Sequence, residues 1–564
     1  METSNKPIFY STNASRWKRF LWVVKILSVF LFIGVGCVLF SLFHKQVFRL
    51  PSLREHLMLS QNESLKYNSA DLQAKESQHF KKLAQEARTK KEHNFYKRDK
   101  VIPGQVKKYS PVRAGFYVNW DIQAKYSLEK NASKMNMVLP EWLFVQDTSD
   151  VVSVDIDQSA LDIMHRNHIA VVPMLSNYFK NVWNGKNVHR IISSPERRTK
   201  LINSLLVVLA KYQFNGVNID FEELTLEKTD ENLIQFMKEL YSQLNSRGYL
   251  VTQDIAPFNE DYNVEELSKY NDFLFLMGYD QHSSTSSAGS VAAQSWVEAG
   301  LGDLCKKVPS DKVVLCIAAF GYDWQDGFQG EDVTYQEAIS TALESEGKVK
   351  FDNNTYNLDY TYYDDNDKVH RVYFADAATN FNALRTASDF ETSGVAIWRL
   401  GSEDPRLWSF YNQDMSVEAL KKNSFDENIL EQEQSSGSVD YVGAGEVLNV
   451  VSIPHPGKFK IQYNKTENLV AEEEYISLPS SYVINKAGEK HGKIVLTFDD
   501  GPSEKYTSRI LDILSRYKVP AVFFLTGINA EKIYHWFNVY IGKDMKLETI
   551  PFFIQISNWF LLID

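Results

Sequence analysis

Polar and apolar side chains alternate in the stretch 214–223, and the polar ones suit acid–base chemistry. Asn218, Asp220 and Glu222 are separated by single apolar residues. A period of two indicates a β-strand, so the three polar side chains share one face. Because neighbouring carboxyl groups titrate together, one of them is pushed toward its protonated form, which suits a general acid. The spacing is equally consistent with a half-exposed strand whose polar face is solvated.

The same stretch resembles the signature of family 18 glycoside hydrolases, Asp/Asn-Gly-x-Asp/Asn-x-Asp-x-Glu, which that family carries on strand four of a (β/α)8 barrel. The motif Met-Gly-Tyr-Asp at 277–280 is similar to the family's Met-x-Tyr-Asp on strand six. Trp398 stands where the family has the tryptophan that floors the sugar site. The family's strand-three Ser-x-Gly-Gly is absent, and Ser176-Asn177 occupies that end. The chain therefore resembles the spore-cortex and cell-wall branch more than the digestive chitinases.

The resemblance implies substrate-assisted hydrolysis of β-linked N-acetylglucosamine polymers, such as peptidoglycan or chitin-like chains, without a metal or other cofactor. Glu222 would protonate the glycosidic oxygen, Asp220 would orient the substrate's acetamido N–H, and Tyr279 would hold the acetamido oxygen. The residues expected to contact the sugar chain are Tyr117, Trp120, Asn218, Met277, Asp280 and Trp398. The alternative is a barrel that binds glycans without cutting them, in a complex for polysaccharide synthesis or deacetylation.

A second pair of acids, Asp499 and Asp500, ends the apolar run 493–498. The sequence Thr-Phe-Asp-Asp-Gly-Pro at 497–502 closely resembles the start of NodB-homology polysaccharide deacetylases. The resemblance makes Asp499 the base and Asp500 a ligand of a divalent, zinc-like metal, together with two histidines of a later motif. His535 is the only histidine after Asp500 in the sequence, and one histidine with one aspartate makes a poor metal site. We therefore expect a truncated, inactive deacetylase fragment over 491–530, with residual deacetylase activity as the alternative.

The residues after this fragment, 531–564, are interpreted as a frameshifted, non-native tail. Back-translation of Lys543–Ile556, with the free codon positions chosen and reading from the third base, encodes Gly-His-Glu-Ile-Gly-Asn-His-Thr-Phe-Phe-His-Pro-Asn. This hidden peptide contains the missing histidine motif, so the hypothesis is a slip of the reading frame near 530–534. Intact relatives would continue into a membrane-embedded family 2 glycosyltransferase.

The elements that must position these residues follow from the periodicity of 111–415. Eight apolar, strand-like runs alternate with helical segments such as Pro195–Tyr212, which predicts an α/β fold of the (β/α)8 (TIM) barrel class. An open doubly wound sheet is the alternative. A small α+β insertion is expected between strands seven and eight, at 324–390. Active sites of such barrels lie at the C-terminal ends of the strands, where the family 18-like motifs are placed.

The flanks of the barrel predict a membrane-anchored protein. Residues 1–19 are polar and basic, as in a cytoplasmic N-terminus, and the apolar segment 20–43 predicts an uncleaved transmembrane helix rather than a signal peptide. The Lys- and Glu-rich segment 44–110 is expected to be a helical or disordered stalk, and 416–490 a linker with a small β connector. The enzyme would face outward as a single-pass protein of the cell membrane, with a polysaccharide synthase as a further partner.

Charge and cysteine content exclude other classes of function. The formal net charge of -11 argues against nucleic-acid binding. The 3 cysteines provide neither a disulfide framework nor the spacing of a zinc site. Cys305 and Cys316 are expected to be two buried thiols, with a disulfide between them as the alternative.

Overall fold

The computed structural model describes residues 69–91, 109–422, 426–431, 439–487, 494–525, 554–556 and 559–561, apart from short gaps at 147–148, 180–181, 225–230, 260–261, 444, 446, 495, 504 and 520. The predicted cytoplasmic N-terminus, the transmembrane segment 20–43 and most of the tail 531–564 lie outside these residues. Within the described ranges, no helix is both long and apolar enough to cross a membrane.

Eight parallel strands, two of them divided into two segments, form a closed barrel. In chain order they are Val112–Tyr117, Met137–Pro140 with Leu143–Val145, Ala170–Val171 with Met174–Ser176, Gly216–Asp220, Leu250–Ile255, Phe273–Gly278, Val313–Ala318 and Gly394–Trp398, here strands one to eight. Each segment pairs in parallel with its neighbours, and strand eight returns to strand one with Gly394 opposite Val112. Because an open sheet would leave two unpaired edges, this closure confirms the barrel and excludes the doubly wound alternative.

Helices cover the outside of the barrel and connect successive strands. They are Ile122–Asn131, Gln158–Arg166, Gly185–Ile192, Pro195–Tyr212, Glu231–Asn245, Val264–Leu267, Gln294–Lys307 and Ala377–Asp389. Local sequence sets where they begin. Asp157 and Ser194 accept main-chain N–H bonds as N-caps, and Pro195 occupies a first-turn position where no N–H donor is required.

The predicted α+β insertion lies between strands seven and eight. Its antiparallel sheet contains the strands Phe320–Gln325, Gly330–Thr334, Lys350–Asp352, Asn357–Tyr363 and Val369–Phe374. The helix Tyr335–Glu344 begins with a capping box between Thr334 and Glu337 and packs on this sheet. The insertion therefore stands beside the C-terminal ends of the last barrel strands.

The helix Ser69–Lys91 packs against the barrel, so the stalk prediction is corrected for these residues. Phe80 and Ala87 are buried in the barrel's hydrophobic core cluster. Arg88 makes two hydrogen bonds with Glu298 of helix Gln294–Lys307, at 2.9 and 2.6 Å. The apolar stripe of this helix is thin, but the facing barrel helix offers small residues and a buried acid. The two helices can therefore pack closely.

A hairpin from the predicted connector belongs to the same packed body. Its strands, Lys458–Asn464 and Leu469–Ser477, are antiparallel. The side chain of Asn382 accepts a hydrogen bond of 2.8 Å from the N–H of Val470 and donates one of 2.9 Å to its carbonyl. The barrel boundary predicted at 415 is therefore too early. A separate three-stranded sheet contains Val439–Gly443, Val447–Ser452 and Tyr482–Ala487.

The predicted deacetylase fragment has a short β–α–β arrangement. The strand Leu496–Gly501 pairs in parallel with Ala521–Leu525, and helix Thr507–Tyr517 connects them. The strands Ile554–Ile556 and Trp559–Leu561 extend this sheet.

Candidate active site

Glu222 lies just beyond the C-terminal end of strand four and is half-buried. Burial raises its pKa well above the ordinary value for glutamate, and the negative charges of Asp220 and Asp280 raise that pKa further. A carboxyl group in these surroundings keeps its proton at a pH where an ordinary glutamate is ionised. It can therefore act as a general acid.

Asp220 and Asn218 lie deeper in the barrel on the same face of strand four. Asp220 is buried, and its pKa is raised by burial and by the nearby carboxyl groups of Asp254 and Glu141. Asn218 is completely buried: its amide donates to Asp254 at 2.5 Å and accepts from the Thr252 hydroxyl at 2.6 Å. The prediction that Asn218 contacts substrate is corrected, because it supports the acids from below.

Asp254 and Glu141 are site residues that the sequence motifs did not reveal. Asp254 lies on strand five, and its buried Oδ1 has no hydrogen-bond partner among the described residues. Burial raises the pKa of Asp254 well above its ordinary value. Glu141 follows the first segment of strand two, and burial raises its pKa as well. Asp220 thus lies near two further acids, and all three carboxyl groups have raised pKa values.

Tyr279 and Trp398 form an aromatic floor beside these acids. Their rings lie nearly parallel, with centroids 6.1 Å apart and an interplanar angle of 25°. Phe116, which the motifs did not single out, packs edge-on against Trp398 with centroids 5.1 Å apart. Asp280 follows Tyr279 and accepts a hydrogen bond of 2.8 Å from Tyr322 of the insertion. Strand six thus joins the floor to the insertion.

Tyr117 does not join this site. It is 1% exposed, its ring packs edge-on against Trp142, and its hydroxyl donates to Asp157 at 2.7 Å. Asp157 is the N-cap of helix Gln158–Arg166, so Tyr117 lies between the barrel and its helices. The prediction that Tyr117 contacts substrate is corrected: successive strand residues face opposite ways, and Phe116 is the one that faces inward.

Models of two protein families match the chain. The model for glycosyl hydrolases family 18 matches residues 180–404, and the polysaccharide deacetylase model matches residues 486–544. The chain contains a family 18 glycosyl hydrolase domain. A fragment of a polysaccharide deacetylase domain follows it, and both resemblances seen in the sequence are confirmed.

Curated relatives and solved structures resemble the family 18 domain. The uncharacterized glycosylase YvbX of Bacillus subtilis is 25% identical over 308 residues, which cover 52% of this chain and 88% of the relative. The cortical fragment-lytic enzyme of the same organism is 23% identical over 243 residues, 40% of this chain and 56% of the relative. A chitinase structure from Chromobacterium violaceum has a TM-score of 0.51 at 20% identity, covering 54% of this chain and 99% of its own. The Bacillus megaterium spore cortex-lytic enzyme SleL has a TM-score of 0.50 at 19% identity, covering 54% and 73%. These two structural likenesses establish the barrel fold.

The remaining predicted residues of the family 18 domain lie around the floor. Met277 is half-buried next to Tyr279 on strand six. Trp120 is 64% exposed at the rim, where the Arg399 guanidinium lies 4.1 Å from its ring centroid and its indole N–H donates to Glu141 at 3.3 Å. A large exposed ring held flat by a cation can offer its free face to a sugar. Trp120 stays a predicted contact.

The deacetylase fragment does not present a metal site among the described residues. Asp499 is exposed near the end of its strand, and the Asp500 side chain is not among the described ones. No group of three histidine, cysteine or acidic side chains in the described part of the chain is arranged to hold a metal ion. The donor set does not fit a zinc-like ion, since His535 is the only histidine after Asp500.

Proposed function

We propose that this protein is a glycosidase that cleaves β-linked N-acetylglucosamine polysaccharide with retention of configuration and with help from the substrate's own acetamido group. The observation that carries the proposal is the half-buried Glu222, whose pKa is raised, next to the buried Asp220 and the Tyr279–Trp398 floor. The names of the relatives, a cortical fragment-lytic enzyme and a chitinase, support a polymer of this class.

In the first step of the proposed mechanism, Glu222 donates its proton to the glycosidic oxygen while the bond from that oxygen to the anomeric carbon breaks. The carbonyl oxygen of the acetamido group attacks the anomeric carbon from the opposite face, which gives a cyclic oxazolinium ion. Asp220 accepts the acetamido N–H, and its negative charge balances the positive ring. The Tyr279 hydroxyl holds the acetamido oxygen. In the second step, the Glu222 carboxylate takes a proton from water as the water oxygen opens the ring.

The change Glu222→Gln tests the proposal because an amide of the same shape has no acid proton to give. We expect kcat on defined N-acetylglucosamine oligomers to fall by at least about 100-fold, the usual contribution of a general acid, with little change in oligomer binding. Glu129→Gln, an exposed glutamate of helix Ile122–Asn131, is the matched control and should keep the activity of the unaltered chain. Turnover that survives Glu222→Gln would refute the assignment.

The second candidate is a glycan-binding barrel without catalysis, within a complex for polysaccharide synthesis or deacetylation. The exposed Trp120 at the rim favours binding whether or not cleavage follows. Calorimetry that shows oligomer binding by both the unaltered chain and Glu222→Gln, with no cleavage by either, would support this candidate.

We also propose that the enzyme faces outward on the cell membrane, because the apolar segment 20–43 is long enough to span it.

A further inference from the structure

Asn177 makes a double hydrogen bond with the main chain of Glu222. It follows the last residue of strand three, Ser176, and is completely buried. The N–H of Glu222 donates to Asn177 Oδ1 at 2.9 Å, and Asn177 Nδ2 donates to the carbonyl of Glu222 at 2.8 Å. The side-chain amide thus satisfies both main-chain polar groups of the residue that carries the acid.

This contact continues the barrel where the main-chain ladder stops. The last register pair between strands three and four is Ser176 opposite Asp220, so Glu222 lies past the end of the ladder. Without Asn177, the N–H and the carbonyl of Glu222 would lose the hydrogen-bond partners that hold them, and main-chain groups without partners favour other conformations. The amide of Asn177 therefore takes over the role that a strand partner has elsewhere in the sheet.

The residues on either side of Glu222 also have close main-chain contacts. The Tyr262 hydroxyl donates to the carbonyl of Phe221 at 2.8 Å. Glu223 has a left-handed backbone, with φ of 55°. Its carbonyl oxygen would lie 1.8 Å from a Cβ added to Gly185, so only glycine fits there. The main chain is thus hydrogen-bonded before and at the acid and closely packed after it.

We propose that Asn177 is a positioning residue for the acid, acting through the main chain of Glu222 without touching the substrate. The inference rests on the proposed function, since it assigns a role in that reaction. A displacement of about 1 Å in a catalytic group can cost about 100-fold in rate. Loss of the Asn177 contact should therefore lower kcat and leave KM nearly unchanged.

The test compares Asn177→Ala with Asn177→Asp in the full chain. The aspartate keeps one oxygen as acceptor for the Glu222 N–H. When the aspartate is ionised, its second oxygen is also an acceptor and repels the Glu222 carbonyl oxygen. When that carboxyl is protonated, its O–H can donate to the carbonyl and restore the second bond. We expect kcat of Asn177→Asp to recover as pH falls, relative to the unaltered chain, and kcat of Asn177→Ala to stay about 100-fold low at every pH.

Asn187→Ala is the matched control. Asn187 is also buried and also donates to a main-chain carbonyl, that of Gln146, at 2.8 Å. It makes no hydrogen bond with Glu222, so its loss should lower stability without lowering kcat. An equal loss of kcat in Asn187→Ala and Asn177→Ala would overturn the proposal, as would a flat pH response of Asn177→Asp.

Amide hydrogen exchange at Glu222 tests the same contact without activity. The Glu222 N–H should be protected in the unaltered chain and in Asn187→Ala, and should exchange faster in Asn177→Ala. An unaltered chain that cuts no oligomer would contradict the proposed function alone. Unchanged exchange and unchanged kcat in Asn177→Ala, in a chain that cuts, would contradict this inference alone.

Discussion

A glutamate that donates a proton must still hold that proton at the pH of the reaction, and an exposed glutamate, with a pKa of about 4.3, does not. Glu222 meets the requirement through burial and through two negative neighbours, Asp220 and Asp280. The acids behind it have raised pKa values too, because Asp220 and Asp254 share a buried place with little to stabilise their charges. At the scale of the residue, the site is therefore a set of carboxyl groups that raise one another's pKa values.

The charge of Asp280 should be visible in the pH dependence of kcat. The acid form of Glu222 is lost above its pKa, and Asp280 raises that pKa. Asp280→Asn removes the charge, so the pKa of Glu222 falls and the alkaline limb of the kcat profile moves to lower pH. Asparagine tolerates the left-handed backbone at this position, where φ is 64°, and its amide oxygen can still accept the Tyr322 bond.

Tyr322→Phe is the control for that measurement. It removes the hydrogen bond to Asp280 but keeps the aspartate charge near Glu222, so the alkaline limb should stay closer to its original pH than in Asp280→Asn. A limb that moves to higher pH in Asp280→Asn would contradict the electrostatic account.

The sequence predicts the residues that end strands in recognisable motifs and misses those whose role depends on facing direction. Asp220, Glu222, Tyr279 and Trp398 come together as predicted. No motif marks Asp254, because the strand also carries Gln253, whose amide oxygen accepts from Asn271 on the opposite face. Two adjacent polar residues hide a period of two, so no pattern marks the inward one.

At the scale of the element, the helix Ser69–Lys91 shows how a weak pattern can conceal a packed surface. Ala87 approaches Gly302 so closely that a Cβ on that glycine would lie 2.4 Å from the Ala87 Cβ. Small residues that permit close approach contribute little to apolar periodicity, so no sequence pattern marks this docking surface. The sequence correctly predicts helical character here, and the structure adds the partner.

Gly302→Ala should loosen this helix. The added methyl group would push Ala87 away, so we expect faster amide hydrogen exchange along Ser69–Lys91 than in the unaltered chain. Gly300→Ala, in the same barrel helix, is the matched control, because its nearest contact is Pro257 at 3.2 Å and not the docked helix. Both changes raise helix propensity by about 1 kcal/mol, so that effect cancels in the comparison. Equal exchange in the two variants would show that the helix is held elsewhere.

The hairpin Lys458–Ser477 is joined to the barrel by a buried ion cluster around Arg406. The guanidinium contacts Asp404 and Asp376 of the barrel and Glu473 of the hairpin, at 2.7, 2.9 and 2.8 Å. All four side chains are at most 1% exposed. Removal of the single cation would leave three buried acids without their partner.

Arg406→Met should therefore destabilise the folded chain by about 3–5 kcal/mol, the usual result when one partner of a buried ion pair is lost. Arg371→Met is the control, because Arg371 and Asp326 form an exposed pair, worth about 0–1 kcal/mol. Urea unfolding followed by tryptophan fluorescence measures both. A loss below 1 kcal/mol in Arg406→Met would mean that the cluster does not fasten the hairpin.

At the scale of the whole molecule, the family 18 domain and the deacetylase fragment differ in completeness. The family 18 domain closes its barrel and gathers its acids at one end. Among its described residues, the deacetylase fragment has a small buried cluster of Leu514, Ala521 and Phe523, while Leu496, Ile513 and Tyr517 are exposed.

The full chain should have no metal-dependent deacetylase activity. His535 is the only histidine that follows Asp500 in the sequence. The two-histidine motif that the family resemblance requires is therefore missing. Glu222→Gln chain incubated with N-acetylglucosamine oligomers and Zn²⁺ should release no acetate, and a chelator should change nothing. The Glu222→Gln background keeps the oligomers intact, so acetate reports deacetylation alone. Acetate release that requires Zn²⁺ and disappears in Asp500→Asn would contradict the interpretation of this region as a truncated fragment. The frameshift hypothesis has its own test: a gene sequence without the hidden histidine motif would refute it.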